Sequence, residues 1–347
     1  MTKRTRYFMA VSAGIVVVGL GSGLVAFYGG GFPSLSASRS GPAELSFVPA
    51  DSSLVAFANV REVMDSQLRQ RIKQAFPDER GQQEFQEHTG IDIEHDIDYI
   101  VAAMTTPGAG GLKSNPNGLV VARGRFNTTQ LESLAREHGG VVEEYKGKRL
   151  VKGSDGDHAH SVALAFLEPG LVGIGSEIAI KSAIDAQLTA HSITANNEMM
   201  ELIADIDAGN NAWAVGRFDA IASQANLPAE VASRIPPIKT FAVMTHVDGG
   251  LNGTLRAETR DDQSAENLRQ VVQGLLALGR MSSDPKATAL LNSLQLSGSG
   301  HTVALAFSVP AEVFDLLPGI RKEIGGRQLP EQLPKELKDL KQLHERK

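Results

Sequence analysis

The chain has no cysteine among its 347 residues. That excludes disulfides, thiolate metal sites, cysteine nucleophiles and a lipid-modified cysteine anchor. Aromatic residues are sparse at 5%, with a single tryptophan, Trp213, so the core must be built from Val, Leu, Ile and Ala. No Gly-x-Ser-x-Gly elbow, phosphate-binding P-loop or His-Glu-x-x-His motif occurs, so those routes to catalysis carry no support. Nor is there an excess of positive charge. Removing the three leading cations takes the formal net charge from −6 to −9, which argues against nucleic acid as a partner.

One stretch lacks charge altogether. Lys3, Arg4 and Arg6 precede an uncharged run from Tyr7 to Ser38, whose apolar heart is Phe8 to Tyr28. About 20 residues at ~1.5 Å each span a hydrocarbon core of ~30 Å. Basic residues ahead of such a span keep its start cytoplasmic and send the rest across. The expectation is a single-pass signal anchor over 1–28 in the inner (cytoplasmic) membrane, with the bulk outside. Cleavage after Ser36-Ala37-Ser38, giving a secreted or periplasmic protein, is the alternative. Gly19-Leu-Gly-Ser-Gly23 lies inside this run, so it is no dinucleotide loop. Residues 29–44 then read as a flexible Gly/Ser/Pro linker.

From Leu45 onward the pattern is globular. Ser53 to Val60 is short and apolar, as a buried strand is. Met64, Leu68, Ile72 and Phe76 recur every four residues, predicting one helical stripe that Pro77 ends. Thr105 to Gly118 holds four glycines and two prolines and reads as a loop. Hairpins are expected around Lys146-Gly147-Lys148, Glu168-Pro169-Gly170 and Asp248-Gly249-Gly250. A helix from Asp261-Asp262 offers Leu268, Val271, Val272, Leu275, Leu276 and Leu278 as its apolar positions. A short helix is expected after Pro310.

The predicted fold class is α+β, in two related halves (45–190 and 191–325). Each reads strand-helix-strand-strand-helix-strands, with an antiparallel sheet covered by helices on one face. A charged tail over 326–347 follows.

Pro49-Ala-Asp-Ser-Ser-Leu-Val-Ala-Phe57 and Thr89-Gly-Ile-Asp-Ile-Glu-His-Asp96 resemble segments of a family of exported bacterial proteins known only as a domain of unknown function. Tyr145-Lys-Gly147 and Gly173-Ile-Gly-Ser176 fit as well. The resemblance implies an extracytoplasmic location and this topology, and brings no reaction, cofactor or catalytic residue.

Two clusters could carry chemistry. Asp155, Asp157, His158 and His160 share one loop and offer metal-ligand types. Their short local spacing and the lack of a distant third ligand favour a polar surface loop. Asp92, Glu94, His95, Asp96 and Asp98 alternate with Ile91, Ile93 and Ile97, as in a turn that tucks isoleucines inward while carboxylates cap amides. Ser283-Asp-Pro-Lys286 matches Ser-x-x-Lys without its partner motifs. The expectation is therefore a membrane-anchored envelope protein that binds or scaffolds, without catalytic residues or cofactor. Its partners are the membrane and an envelope protein or apolar ligand. The alternatives are a metal-dependent hydrolase using the Asp155–His160 loop and a carrier of an apolar ligand.

Overall fold

The first strand of the chain lies in the middle of the sheet. In the computed structural model, which describes residues 41–75, 80–105, 117–137, 139–153, 162–218, 236–280 and 291–310, β1 (Leu54–Asn59) pairs with two strands at once. One is β2 (Ile97–Thr105); the other is β8 (Ala212–Arg217), from the second half of the chain. The remaining strands extend the same sheet. They are β3 (Asn117–Gly124), β4 (Val141–Tyr145), β5 (Lys148–Lys152), β6 (Val162–Glu168), β7 (Leu171–Ser176), β9 (Ile238–Val247), β10 (Gly250–Thr259), β11 (Gln295–Ser297) and β12 (Thr302–Pro310). The order is β11-β12-β10-β9-β8-β1-β2-β3-β7-β6-β5-β4, and every pairing is antiparallel.

This corrects the expected fold class. There are not two sheets each covered on one face, but one twelve-stranded sheet with helices on both faces. The physical reason lies in β1 to β3. Leu54-Val-Ala-Phe-Ala58, Ile100-Val-Ala-Ala-Met104 and Leu119-Val-Val-Ala122 are apolar at both parities, the mark of strands flanked and covered on two sides.

On the first face, α6 (Glu177–Thr189), α7 (Asn197–Asp207) and 3-10 turns at Ala43–Phe47 and Ile193–Ala195 seal the sheet. Val55, Val101, Val121 and Val215 beneath them are 0% exposed. Ile180, Ala183 and Ile184 come down from α6, and Met199, Ile203 and Ile206 from α7. Asn196 caps α7 by accepting from the Met199 amide. Helix α7 went unrecognised in the sequence.

On the second face, the described helices occupy the margins. The stripe expected as one helix is cut at Ser66 into α1 (Val60–Asp65) and α2 (Gln67–Ala75). The Ser66 hydroxyl donates to the Val63 carbonyl and accepts from the Arg69 amide. Leu68 is buried, at 1% exposure, and Met64 packs with Ile97 and Ile100. Helices α3 (Arg80–Thr89) and α4 (Ile93–Asp96) follow, and Gly90, at φ 69°, ends α3. Helix α5 (Thr128–Glu137) lies on β4 and β5; α8 (Asp262–Arg280) lies on β10, β11 and β12. Of the apolar positions expected for α8, Leu276 is buried, while Val271 and Leu275 are exposed.

Candidate functional site

A side chain directly opposite another in an antiparallel pair lies on the same face of the sheet. The strand registers therefore define a row that crosses the second face. It runs Leu296, Leu305, Leu255, Val243, Ala214, Ala56, Ala102, Val120, Ile174, Leu164, Val151, Val142, one residue from each of the twelve strands. All twelve are apolar, and all but buried Val151 are half-buried.

On one side the row borders a filled one. Ala58, Ile100, Ala122 and Val172 are buried under the cluster that includes Val60 of α1. On the other side a second row runs Ala257, Phe241, Gly216, Leu54, Met104, Gly118. Ala257, Phe241, Leu54 and Met104 are again half-buried.

Two glycines report the difference between the faces. A Cβ on Gly173, which faces α6, would sit 3.1 Å from Ile180 Cδ1 and 3.1 Å from Leu167 Cδ1. Among the described residues, a Cβ on Gly118, in the second row, would meet nothing within 4 Å. Among the described residues, the first face is filled at Gly173 and the second is open at Gly118. With α1 to α4 along one border, α8 at one end and α5 at the other, the two rows form an apolar trough. Its floor is lowest at the centre, where Ala214, Ala56 and Ala102 stand side by side. The two rows carry no titratable group. They suit contact with apolar surface at ~25 cal/mol per Å².

The sequence-derived candidates fall elsewhere. Asp155, Asp157, His158 and His160 lie outside the described residues, as do Ser283-Asp-Pro-Lys286, the span 1–28 and the tail 326–347. Among the described residues no three His, Asp or Glu side chains gather at a metal-sized site.

The Asp92–Asp98 turn is described, and every carboxylate in it is engaged. Asp92 caps α4, accepting from the amides of Glu94 (2.9 Å) and His95 (3.3 Å). Asp96 accepts from the Asp92 amide at 2.9 Å, Arg61 Nε donates to Asp98 at 2.7 Å, and Lys73 lies 3.2 Å from Glu94. Partial burial pushes Asp92 up, but the His95 ring at 2.8 Å and the two amides outweigh it and hold the carboxyl below its usual range. Ile91, Ile93 and Ile97 pack inward beside Ile100. This turn builds structure.

The trough was missed in the sequence. Its signal was the double-parity apolar pattern of β1, β2 and β3, which says that both faces are apolar but not which one stays open.

Comparison with known proteins leaves the chain on its own evidence. No family model matches it, and no curated protein matches it. A solved structure, crystal form I of TP0453, aligns over 82% of this chain and 99% of that one, at 10% identity and a TM-score of 0.46. A likeness of that size carries no functional argument. Among the described residues no helix is long and apolar enough to cross a membrane.

Proposed function

We propose that this chain is a membrane-tethered extracytoplasmic binding protein, and that the apolar trough on the second face is where its ligand sits. The observation that carries the reading is the unbroken apolar row from Leu296 to Val142, half-buried while the opposite face is sealed. A sheet face left open in water normally alternates to polar residues; this one does not. A run of half-buried apolar side chains of that length supports reading this face as an interaction site.

The tether rests on the basic residues Lys3, Arg4 and Arg6 ahead of the uncharged run, and on the linker that follows. The folded body begins close behind that linker. The turn Ala43–Phe47 is fixed to the sheet, with Leu45 at 0% and Phe47 at 2% exposure. Binding is the reading that fits two rows made of apolar side chains and glycine.

The absence of cysteine makes the test clean. Single cysteines at Ala102 and Val120 in the full chain, held in lipid nanodiscs, should react with a maleimide and be protected by a bound apolar probe. A cysteine at Thr254, on the opposite face, should show no protection. Equal reactivity at all three with and without probe would refute ligand binding in the trough. For the tether, alkaline phosphatase fused after Ser38 should be active; an active cytoplasmic reporter at the same point would reverse the topology.

A further inference from the structure

We infer that Asn117 is a self-modifying site: in the folded protein its carboxamide is converted to a carboxylate through attack by the backbone nitrogen of Gly118. The inference is independent of the trough and of any ligand held there.

The chain contains two Asn-Gly dipeptides, Asn117-Gly118 and Asn252-Gly253. In such a pair the amide nitrogen of the glycine can close onto the side-chain carbon of the asparagine. The attack is intramolecular, so no second molecule has to be positioned for it. Glycine favours it, because no Cβ obstructs the approach and the backbone is free to turn. A bond forms between the Gly118 nitrogen and Asn117 Cγ. The bond from Cγ to the side-chain nitrogen breaks, and that nitrogen leaves as ammonia with the proton given up by the Gly118 amide. Water then opens the closed imide ring at either of its two carbonyls. One opening gives Asp; the other gives isoaspartate, in which the main chain runs through the former side chain.

The two asparagines are polarised alike. Asn117 Oδ1 accepts from the Ser176 hydroxyl at 3.4 Å, and Asn252 Oδ1 accepts from the Ser308 hydroxyl at 3.2 Å. What separates them is the nitrogen that must attack. Asn252 and Gly253 sit inside β10 with a paired strand on each side. Asn252 faces His246 and Ser308, and Gly253 faces Thr245 and Phe307. Ladders on both sides fix that backbone. A Cβ on Gly253 would lie 2.5 Å from the Met244 carbonyl oxygen, so nothing there has room to turn.

Asn117 and Gly118 instead begin β3. On one side they face Thr105 and Met104, at the end of β2. The Met104 carbonyl is already turned to β1, where it accepts from the Ser53 amide at 2.8 Å. On the other side the ladder with β7 starts only at Leu119 and Gly175. Successive amides of a strand point to opposite neighbours. The Gly124 amide donates to the Gly170 carbonyl, at the start of β7. Gly118 lies an even number of residues earlier, so its amide points to that same side, ahead of the first β7 pair. Among the described residues, a Cβ on Gly118 would meet nothing within 4 Å, so the nitrogen also has room to move. One Asn-Gly pair is locked at mid-strand and the other stands at a released strand end.

The test incubates the full chain in lipid nanodiscs at neutral and mildly alkaline pH. Peptide mapping by mass spectrometry follows, with fragmentation that separates Asp from isoaspartate. The Asn117 peptide should gain a carboxylate as both isomers, faster as pH rises, while the Asn252 peptide stays unchanged. In urea, where neither backbone is held, both should convert. Gly118→Ala fits the open space and should largely abolish conversion at Asn117 in a chain that still folds.

An unchanged Asn117 in the folded chain would overturn the site. Equal conversion of Asn117 and Asn252 in the folded chain would overturn the claim that strand pairing selects between them. Conversion to Asp alone, undiminished by Gly118→Ala, would replace ring closure by direct hydrolysis and remove Gly118 from the reaction.

Discussion

The Nε–H of Arg123 donates to the carboxylate of Glu44, joining the turn that leads in from the N-terminus to the third strand. Glu44 is buried, at 4% exposure, and Arg123 is held above its usual range chiefly by this hydrogen bond. Arg123→Ala would leave a buried carboxylate without its cation. The expected loss is ~2–3 kcal/mol, below the range for a fully buried pair because Arg123 is one-third exposed. Glu44→Gln/Arg123→Met should recover much of it. Denaturant melts of the four species test this; an additive double mutant would show that the pair is not coupled.

Four charges form a ring beside the edge strand β4. Lys152 lies 2.7 Å from Glu143 and 2.6 Å from Glu177; Lys181 lies 2.6 Å from Glu177 and 3.2 Å from Glu143. Hydrogen bonds from Lys152 and then Lys181 hold the Glu177 carboxyl below its usual range. Lys181 is held above its own, first by Glu177. The depressed carboxylate stabilises the fold above its unfolded pKa, and that contribution disappears as pH falls through the folded value. The raised ammonium stabilises below its unfolded pKa and loses that contribution as pH rises through the folded value. The gap in melting temperature between wild type and Lys181→Met should therefore be widest between about pH 5 and 9. It should narrow below ~4.3 and above ~10.4. A gap independent of pH would mean that the ring contributes packing only.

Leu68 anchors α2, whose first amides include Leu68 N–H donating to the Asp248 carbonyl at 2.8 Å. Leu68→Ala removes a side chain that is 1% exposed and should cost about 2–5 kcal/mol. An unchanged melting temperature would place this helix off the sheet.

Gly173→Ala and Gly118→Ala put the same methyl group on the two faces. The first presses on Ile180 and Leu167 and should destabilise by about 1–3 kcal/mol. The second meets nothing and should be neutral or stabilise by about 0.5–1 kcal/mol, as loss of a strand glycine does. Equal costs would show that the trough is as tightly filled as the opposite face.

Much of the local structure was legible. The hairpin at Lys146-Gly147 is one case: those residues take φ 50° and 79°, as a two-residue turn between strands demands, and Gly147 signals it. The isoleucine spacing of the Asp92 turn is another. Ser66 and Asn196 were present as capping residues, yet each sits in an apolar period that hid the helix boundary it makes. The pairing of Leu54–Ala58 with Ala212–Gly216 had no local signal, because nothing in either strand specifies which distant strand it meets. That missing link turned an expected pair of sheets into one. The trough was hidden for the same reason: a row exists only once twelve registers are fixed.

The central place of β1 bears on how the protein is made. Its β2 edge finds a partner some forty residues downstream, but its β8 edge waits until Gly216 has emerged, about 160 residues after Asn59. At ~5–20 residues per second that is roughly 10–30 s during which an apolar strand shows bare amides and carbonyls to its surroundings. Newly made copies pass through a stage that templates strand pairing with one another. Production of the intact protein thus depends on keeping nascent chains apart until residue 216 arrives, and truncations ending before it should accumulate as aggregates.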